Sequence, residues 1–256
     1  MIKPTLILIH GFRGTHHGLA KIAEYLPHYN LVIPDLPGFG EGETLPTYDL
    51  DTYVEWLHTL VSKYDKPYLL GHSFGSIITA AYAAKYGDTI EKLILVNPIG
   101  APALEGPRGA LTKLAIFYYQ LGKALPAPIA KAWLSSHVST LVMSKVMTKT
   151  KDRKLRKFID QQHIQYFSRF HSADSVHQGF VTSVTNSVRD VAGHITIKTL
   201  LIVGALDDIT PLEKQKELVR LFPDATLVTI EGVGHLTHYE TPKDVASAVQ
   251  AFIKSS

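Results

Sequence analysis

The sequence predicts an α/β fold: a mostly parallel sheet of about six strands flanked by helices, with a helical segment inserted into it. Two observations carry that prediction. Short, almost wholly apolar runs alternate with stretches whose apolar residues recur at helical spacing, and a run with no polar alternation reads as a strand covered on both faces. The alternation then stops near Pro98 and resumes near residue 194, which marks the insertion.

Thr5 to Ile9 is the first apolar run, and it ends at His10-Gly11-Phe12-Arg13-Gly14. A glycine-punctuated loop behind a buried strand either simply turns the chain or aims a backbone N–H into a cleft, which makes the Phe12 N–H a candidate donor. His10 reads as a structural side chain that holds this loop. Leu19, Ile22, Ala23 and Leu26 then recur at helical spacing, and Leu31-Val32-Ile33 gives a second strand. The prolines and glycines of Pro34 to Gly40 mark a tight turn. From Leu50 to Tyr64 an apolar stripe at i, i+3, i+4 and i+7 describes a helix laid on a sheet.

Pro67 to Ser76, Pro-Tyr-Leu-Leu-Gly-His-Ser-Phe-Gly-Ser, is the stretch around which the chain is organised. A buried strand runs into Gly71-His72-Ser73-Phe74-Gly75 and then into a helix rich in small residues at Ala80, Ala81, Ala83 and Ala84. A serine on so tight a strand-to-helix turn takes strained dihedrals, and only glycines beside it let the backbone pass. The Phe74 N–H falls at a helix N-terminus, where unpaired donors and the helix dipole favour a developing negative charge.

Leu93 to Val96 is the fourth strand and ends at Asn97-Pro98. Residues 98–193 follow, proline-punctuated at first and helical in character afterwards. They hold 13 of the 26 Lys and Arg but 5 of the 23 Asp and Glu, a net +8 that leaves −5 for the rest of the chain. We expect a helical cap here, with the core domain formed by residues 1–97 and 194–256. The basic run Lys149 to Lys157 reads as a solvated helix face, with an anionic lipid surface or an anionic acyl carrier as the alternatives. The alternation resumes at Thr199 to Val203 and ends in Gly204 to Pro211, where Thr210-Pro211-Leu212-Glu213 predicts a helix start with a capping box and Pro211 at the first helical position. Thr226 to Ile230 is the last strand, Gly234-His235 follows it, and Thr241-Pro242-Lys243-Asp244 is expected to cap a closing helix.

With 256 residues, 45% of them hydrophobic, the chain can bury a full core. The formal charge of +3 gives no reason to expect a nucleic-acid partner, and the absence of cysteine excludes disulfides and thiolate chemistry. His16-His17 lacks a third ligand at suitable spacing, so no metal is expected. No signal peptide or membrane span is predicted, so the expected location is cytoplasmic.

Phe12, Ser73, Asp207 and His235 all fall at predicted strand ends, where a parallel sheet gathers its functional residues. His10-Gly11-Phe12, Asp35 to Gly40, Gly71 to Gly75, Gly204 to Pro211 and Gly234-His235 together resemble the α/β-hydrolase fold superfamily, in the chain order Ser, Asp, His. The resemblance covers nearly the whole chain except the cap. It implies Ser73 as nucleophile, His235 as general base and acid, an oxyanion hole made by the Phe12 and Phe74 N–H groups, and no cofactor. A G-x-x-D pattern selects Asp207 as the acid, although spacing alone does not separate it from Asp208. The family's two leading strands are missing, which is why six strands are expected.

The expected activity is cleavage of small-molecule carboxylic esters through an acyl-enzyme intermediate. Acyl transfer, carbon–carbon bond hydrolysis on the same triad, and ligand binding by a slow triad are the alternatives. Leu236 and His72 stand where carbon–carbon hydrolases favour tryptophan and asparagine, which weakens that alternative, and a serine nucleophile argues against epoxide hydrolase and dehalogenase chemistry. Arg13, Tyr118-Tyr119 and Trp133 are candidates to line the substrate cleft, against a packing role.

Overall fold

The structure is a computed structural model that describes residues 3–101 and 109–255. Six strands, β1 (Thr5–Ile9), β2 (Asn30–Val32), β3 (Tyr68–His72), β4 (Leu93–Val96), β5 (Thr199–Gly204) and β6 (Ala225–Ile230), form one sheet in the order β2-β1-β3-β4-β5-β6. All five pairings are parallel. The chain steps from β1 outward to β2 and then crosses back to β3 on the other side of β1. Loops leaving the carboxyl ends of β1 and β3 therefore diverge, and a crevice opens between them.

The continuous apolar character of the strands follows from burial on both faces. Alternate residues point to opposite sides. Ile7, Ile9, Leu69, Leu93, Leu95 and Leu201 face the helices α2 (Leu50–Val61) and α3 (Phe74–Tyr86). Leu6, Leu8, Leu70, Ile94, Val96, Leu200 and Ile202 face α1 (His16–Ala23) and the closing helix, residues 242–254. Helix α3 is nearly all buried, so its alanines serve close approach to the sheet rather than an amphipathic stripe.

Among the described residues between β4 and β5 lie five α-helices: α4 (Gly109–Ala124), α5 (Ala127–Leu134), α6 (His137–Met147), α7 (Arg153–Tyr166) and α8 (Ala173–Thr185). Asp152 caps α7 by accepting the Lys154 and Leu155 N–H groups, and Ser172 forms a capping box with Ser175 at α8. The Pro34–Gly40 turn ties this segment to the core. The Gly40 N–H donates to the Arg169 carbonyl at 2.7 Å, the His171 N–H donates to Gly38 at 3.0 Å, and Phe39 bridges Phe170.

After β5 the described residues form the α-helices α9 (Leu212–Val219), α10 (Thr237–Glu240) and α11 (Pro242–Lys254). The capping box expected at Thr210 does not form. Pro211 is the residue before the helix, and the Thr210 hydroxyl, instead of accepting from a helix N–H, donates to the Asp207 carboxylate, a charge-assisted hydrogen bond. Thr241 precedes α11 without a side-chain cap, its hydroxyl donating back to the Thr237 carbonyl. Among the described residues no helix is long and apolar enough to cross a membrane.

Candidate active site

Ser73 sits between β3 and α3 with φ 53° and ψ −118°, outside the regions an L-residue prefers. The sterics are visible in its glycine neighbours. A Cβ on Gly71 would collide with the Thr79 side chain and the Gly75 carbonyl, and a Cβ on Gly75 would collide with the carbonyls of Ile9 and His10. The Ser76 hydroxyl donates to the Ser73 carbonyl, and the Ser73 N–H donates to Val96 at 3.0 Å, which pins the turn from both sides.

Asp207 and His235 come from the loops after β5 and β6, and those loops are laced together. The Ala205 N–H donates to the Ile230 carbonyl and the Leu206 N–H to Val233, each at 2.9 Å, and Gly204 lets the second loop pass against it. His235 then stands with Nε2 2.8 Å from Ser73 Oγ and Nδ1 2.7 Å from Asp207 Oδ2. Both Asp207 and His235 are buried. Asp207 Oδ1 accepts the Ile209 and Thr210 N–H groups at 2.7 and 3.0 Å, and Oδ2 accepts the Thr210 hydroxyl and the Asn97 amide, the latter at 2.8 Å. Burial pushes this carboxyl up. The attraction of His235 and the hydrogen bonds from His235 and Thr210 outweigh that and hold it well below the ordinary carboxylate range.

The adjacent acid goes elsewhere: Asp208 is half-exposed and pairs with Lys149. The structure thus brings Ser73, His235 and Asp207 into one chain of hydrogen bonds and leaves Asp208 outside it. Gly11 approaches so closely that a Cβ there would lie 3.2 Å from Ser73 Cβ, which sets the His10–Phe12 backbone beside the serine. The Phe12 ring packs edge-on against Phe39, Phe74 and Tyr119. His10 acts as the loop's strut, accepting the Leu36 N–H at Nε2 and lying 2.8 Å from the Gly11 carbonyl at Nδ1.

A cavity of about 1200 Å³ opens over Ser73, walled by Phe12, Ile99 and Phe180 and by Met143, Met147 and His163 of the inserted helices. Arg13, Tyr118, Tyr119 and Trp133 do not line it. Arg13 is buried at φ 57° and ties helix ends together instead: Nε donates to Phe167 at 3.0 Å and Nη2 to Leu134 at 2.8 Å. His16 lies 2.9 Å from the Asp35 carboxylate, and His17 stacks on Tyr166. The described residues hold no group of three or more His, Cys, Asp or Glu arranged to bind a metal.

The sequence profile of the alpha/beta hydrolase fold matches residues 4–242. The chain belongs to the α/β-hydrolase fold family. Relatives of this α/β hydrolase include Lipase 3 from Moraxella sp., 28% identical with 96% of this chain and 76% of that protein covered. Another is the pimeloyl-[acyl-carrier protein] methyl ester esterase of Chromobacterium violaceum, 24% identical with 98% and 95% covered. A thermophilic esterase from Thermogutta terrifontis shares the fold with a TM-score of 0.79 at 20% identity, covering 99% of this chain and 90% of that one.

Three site residues of the hydrolase were not singled out from sequence. Asn97, fully buried at φ 45°, donates to Asp207 Oδ2, the same oxygen that faces His235, and accepts the Thr237 hydroxyl. Asparagine tolerates that backbone and can donate and accept at once, a signal legible only once its neighbours are known. His238 is buried against His72 and His163 against Phe167 and Tyr239, all three histidines on the cavity wall. Burial, reinforced by His235 nearby, pushes His72 down to about 3, and burial pushes His163 down to about 4.

Proposed function

We propose that the chain hydrolyses carboxylic esters through an acyl-enzyme intermediate formed on Ser73. The observation that carries this reading is the continuous hydrogen-bonded line Ser73 Oγ, His235 Nε2, His235 Nδ1, Asp207 Oδ2 at the wall of a cavity of about 1200 Å³. A serine hydroxyl is a weak nucleophile at neutral pH, so His235 takes its proton as the oxygen attacks the acyl carbon. Asp207 fixes the imidazole with its N–H at Nδ1 and stabilises the imidazolium that results. The tetrahedral oxyanion is held by the N–H groups of Phe12 and Phe74; the latter is at the first position of α3, where no intrahelical partner exists. His235 returns the proton to the departing alcohol, and water repeats the sequence to release the acid. The names of the lipase and esterase relatives support the ester as the substrate class.

The helices α4 to α8, within residues 98–193, act in this reading as a cap that keeps water from the acyl-enzyme and sizes the acyl group. The test is hydrolysis of a chain-length series of p-nitrophenyl esters by the wild type and Ser73→Ala. Multiple turnover that falls by about 10³-fold or more in the variant is expected. Turnover that survives in Ser73→Ala would assign the chemistry to another group.

A further inference from the structure

The inserted helices carry apolar residues on two faces. Their inner faces bring Thr112 and Ala115 of α4 and Met143 and Met147 of α6 to the cavity. Outer faces of such helices are ordinarily polar. Here Leu114, Phe117 and Leu121 recur at i, i+3 and i+7 along the exposed side of α4, and Val138, Val142 and Val146 at i, i+4 and i+8 along that of α6. Between them α5 exposes Ile129 and Trp133. Phe117 is 60% and Val138 72% exposed, values no packing role explains. The three helices meet at Tyr118, whose hydroxyl donates to the Trp133 carbonyl at 2.9 Å and lies 3.3 Å from Ser139 Oγ. Scattered exposed apolar residues are normal, whereas neighbouring helices that each present a stripe mark an interaction surface.

Charge selects the partner. Residues 109–151 contain six lysines and no Asp or Glu. Lys123 pairs with Asp174 and Lys149 with Asp208, while Lys113, Lys131, Lys145 and Lys151 stand exposed among the apolar stripes. A second copy of the chain would set lysine against lysine, and a nucleic acid would leave valine and phenylalanine against phosphate. An anionic bilayer satisfies both features, since lysines reach the headgroup phosphates while apolar side chains enter the boundary with the acyl chains. We propose that the outer face of α4, α5 and α6 docks on an anionic lipid bilayer, which sets one wall of the cavity against the membrane surface. This concerns binding and goes beyond the hydrolytic reading.

The test is flotation of the full chain with vesicles of phosphatidylcholine alone and of phosphatidylcholine with about a third phosphatidylglycerol. Wild type and Ser73→Ala should float with the anionic vesicles and far less with the neutral ones, and added salt should weaken the binding. A Phe117→Ser/Val142→Ser double variant and a Lys113→Glu/Lys131→Glu/Lys145→Glu triple variant, all at exposed positions, should each lose about tenfold or more in vesicle affinity. Absence of flotation, or flotation that neither variant weakens, would overturn the proposal. Self-association in sedimentation that Phe117→Ser/Val142→Ser abolishes would also overturn it and give the face to a second copy. Because Ser73→Ala separates binding from turnover, failure here is distinguishable from failure of the ester reading.

Discussion

At Ser73 the backbone holds φ 53° and ψ −118°, a conformation that costs on the order of 1–3 kcal/mol and survives because Gly71, Gly75 and the Ser76 hydroxyl leave it no alternative. The strain is what presents the hydroxyl to His235. Spacing alone left two adjacent carboxylates as partners for His235, and only the resemblance, through its G-x-x-D pattern, selected Asp207. The fold separates them by direction: Asp207 turns inward to five hydrogen-bond donors and Asp208 outward to Lys149. Asp207→Asn should therefore lower kcat by about 10³–10⁴-fold with KM little changed, and Asp208→Asn by less than about threefold. Equal losses in steady-state kinetics would contradict this assignment. Asn97 was not legible as a site residue, because its partner lies 110 residues further along the chain. Asn97→Ala leaves the Thr237 hydroxyl without its acceptor and takes one of the five donors from Asp207, so we expect a loss of about 1–3 kcal/mol in denaturant unfolding together with a fall in kcat.

Among the elements, the strands and the long helices were readable because burial on two faces or one imposes a period on the sequence. Thr5 to Ile9 and Leu93 to Val96 match their strands residue for residue. The start of α9 was misread because the Thr-Pro-Leu-Glu pattern is local, and the competing acceptor for Thr210, the Asp207 carboxylate, is part of the site rather than of the helix. Arg13, a candidate cleft residue on sequence, is instead the strut between the loop after β1 and the ends of α5 and α7. One tight element contact is the crossing of α3 over the end of β1. Gly75→Ala should put a methyl group into the carbonyls of Ile9 and His10 and destabilise the fold by on the order of 3 kcal/mol, read as a fallen thermal midpoint. An unchanged midpoint would mean that the elbow is looser than drawn.

At the scale of the molecule, the segregation of positive charge into residues 98–193 was plain in the sequence, whereas the exposure of the apolar stripes on α4 to α6 was not, since a stripe looks the same whether it faces core or solvent. The buried histidines give the whole fold a pH dependence. His72 and His163 are held near 3 and 4 by burial, below the value of about 6.5 for a free imidazole, so on acidification the unfolded chain takes up protons first. Stability conferred by their neutral burial is full above about pH 6.5 and declines as the pH falls toward 4, each group adding up to about 1.4 kcal/mol per pH unit. Asp207, held low, contributes above the ordinary carboxylate pKa and loses its share below about pH 4, so between about pH 6.5 and 4 the decline from the histidines stands apart from it. Denaturant midpoints that stay flat between pH 7 and about 4.5 would contradict the burial of these imidazoles.

The measurement that bears most directly on Ser73 as nucleophile is active-site labelling with an alkyl fluorophosphonate, followed by intact mass and peptide mapping. The account predicts one adduct per chain, on the peptide that carries Ser73, absent in Ser73→Ala and formed far more slowly in His235→Ala. No adduct on folded wild type, or one that persists in Ser73→Ala, would contradict it.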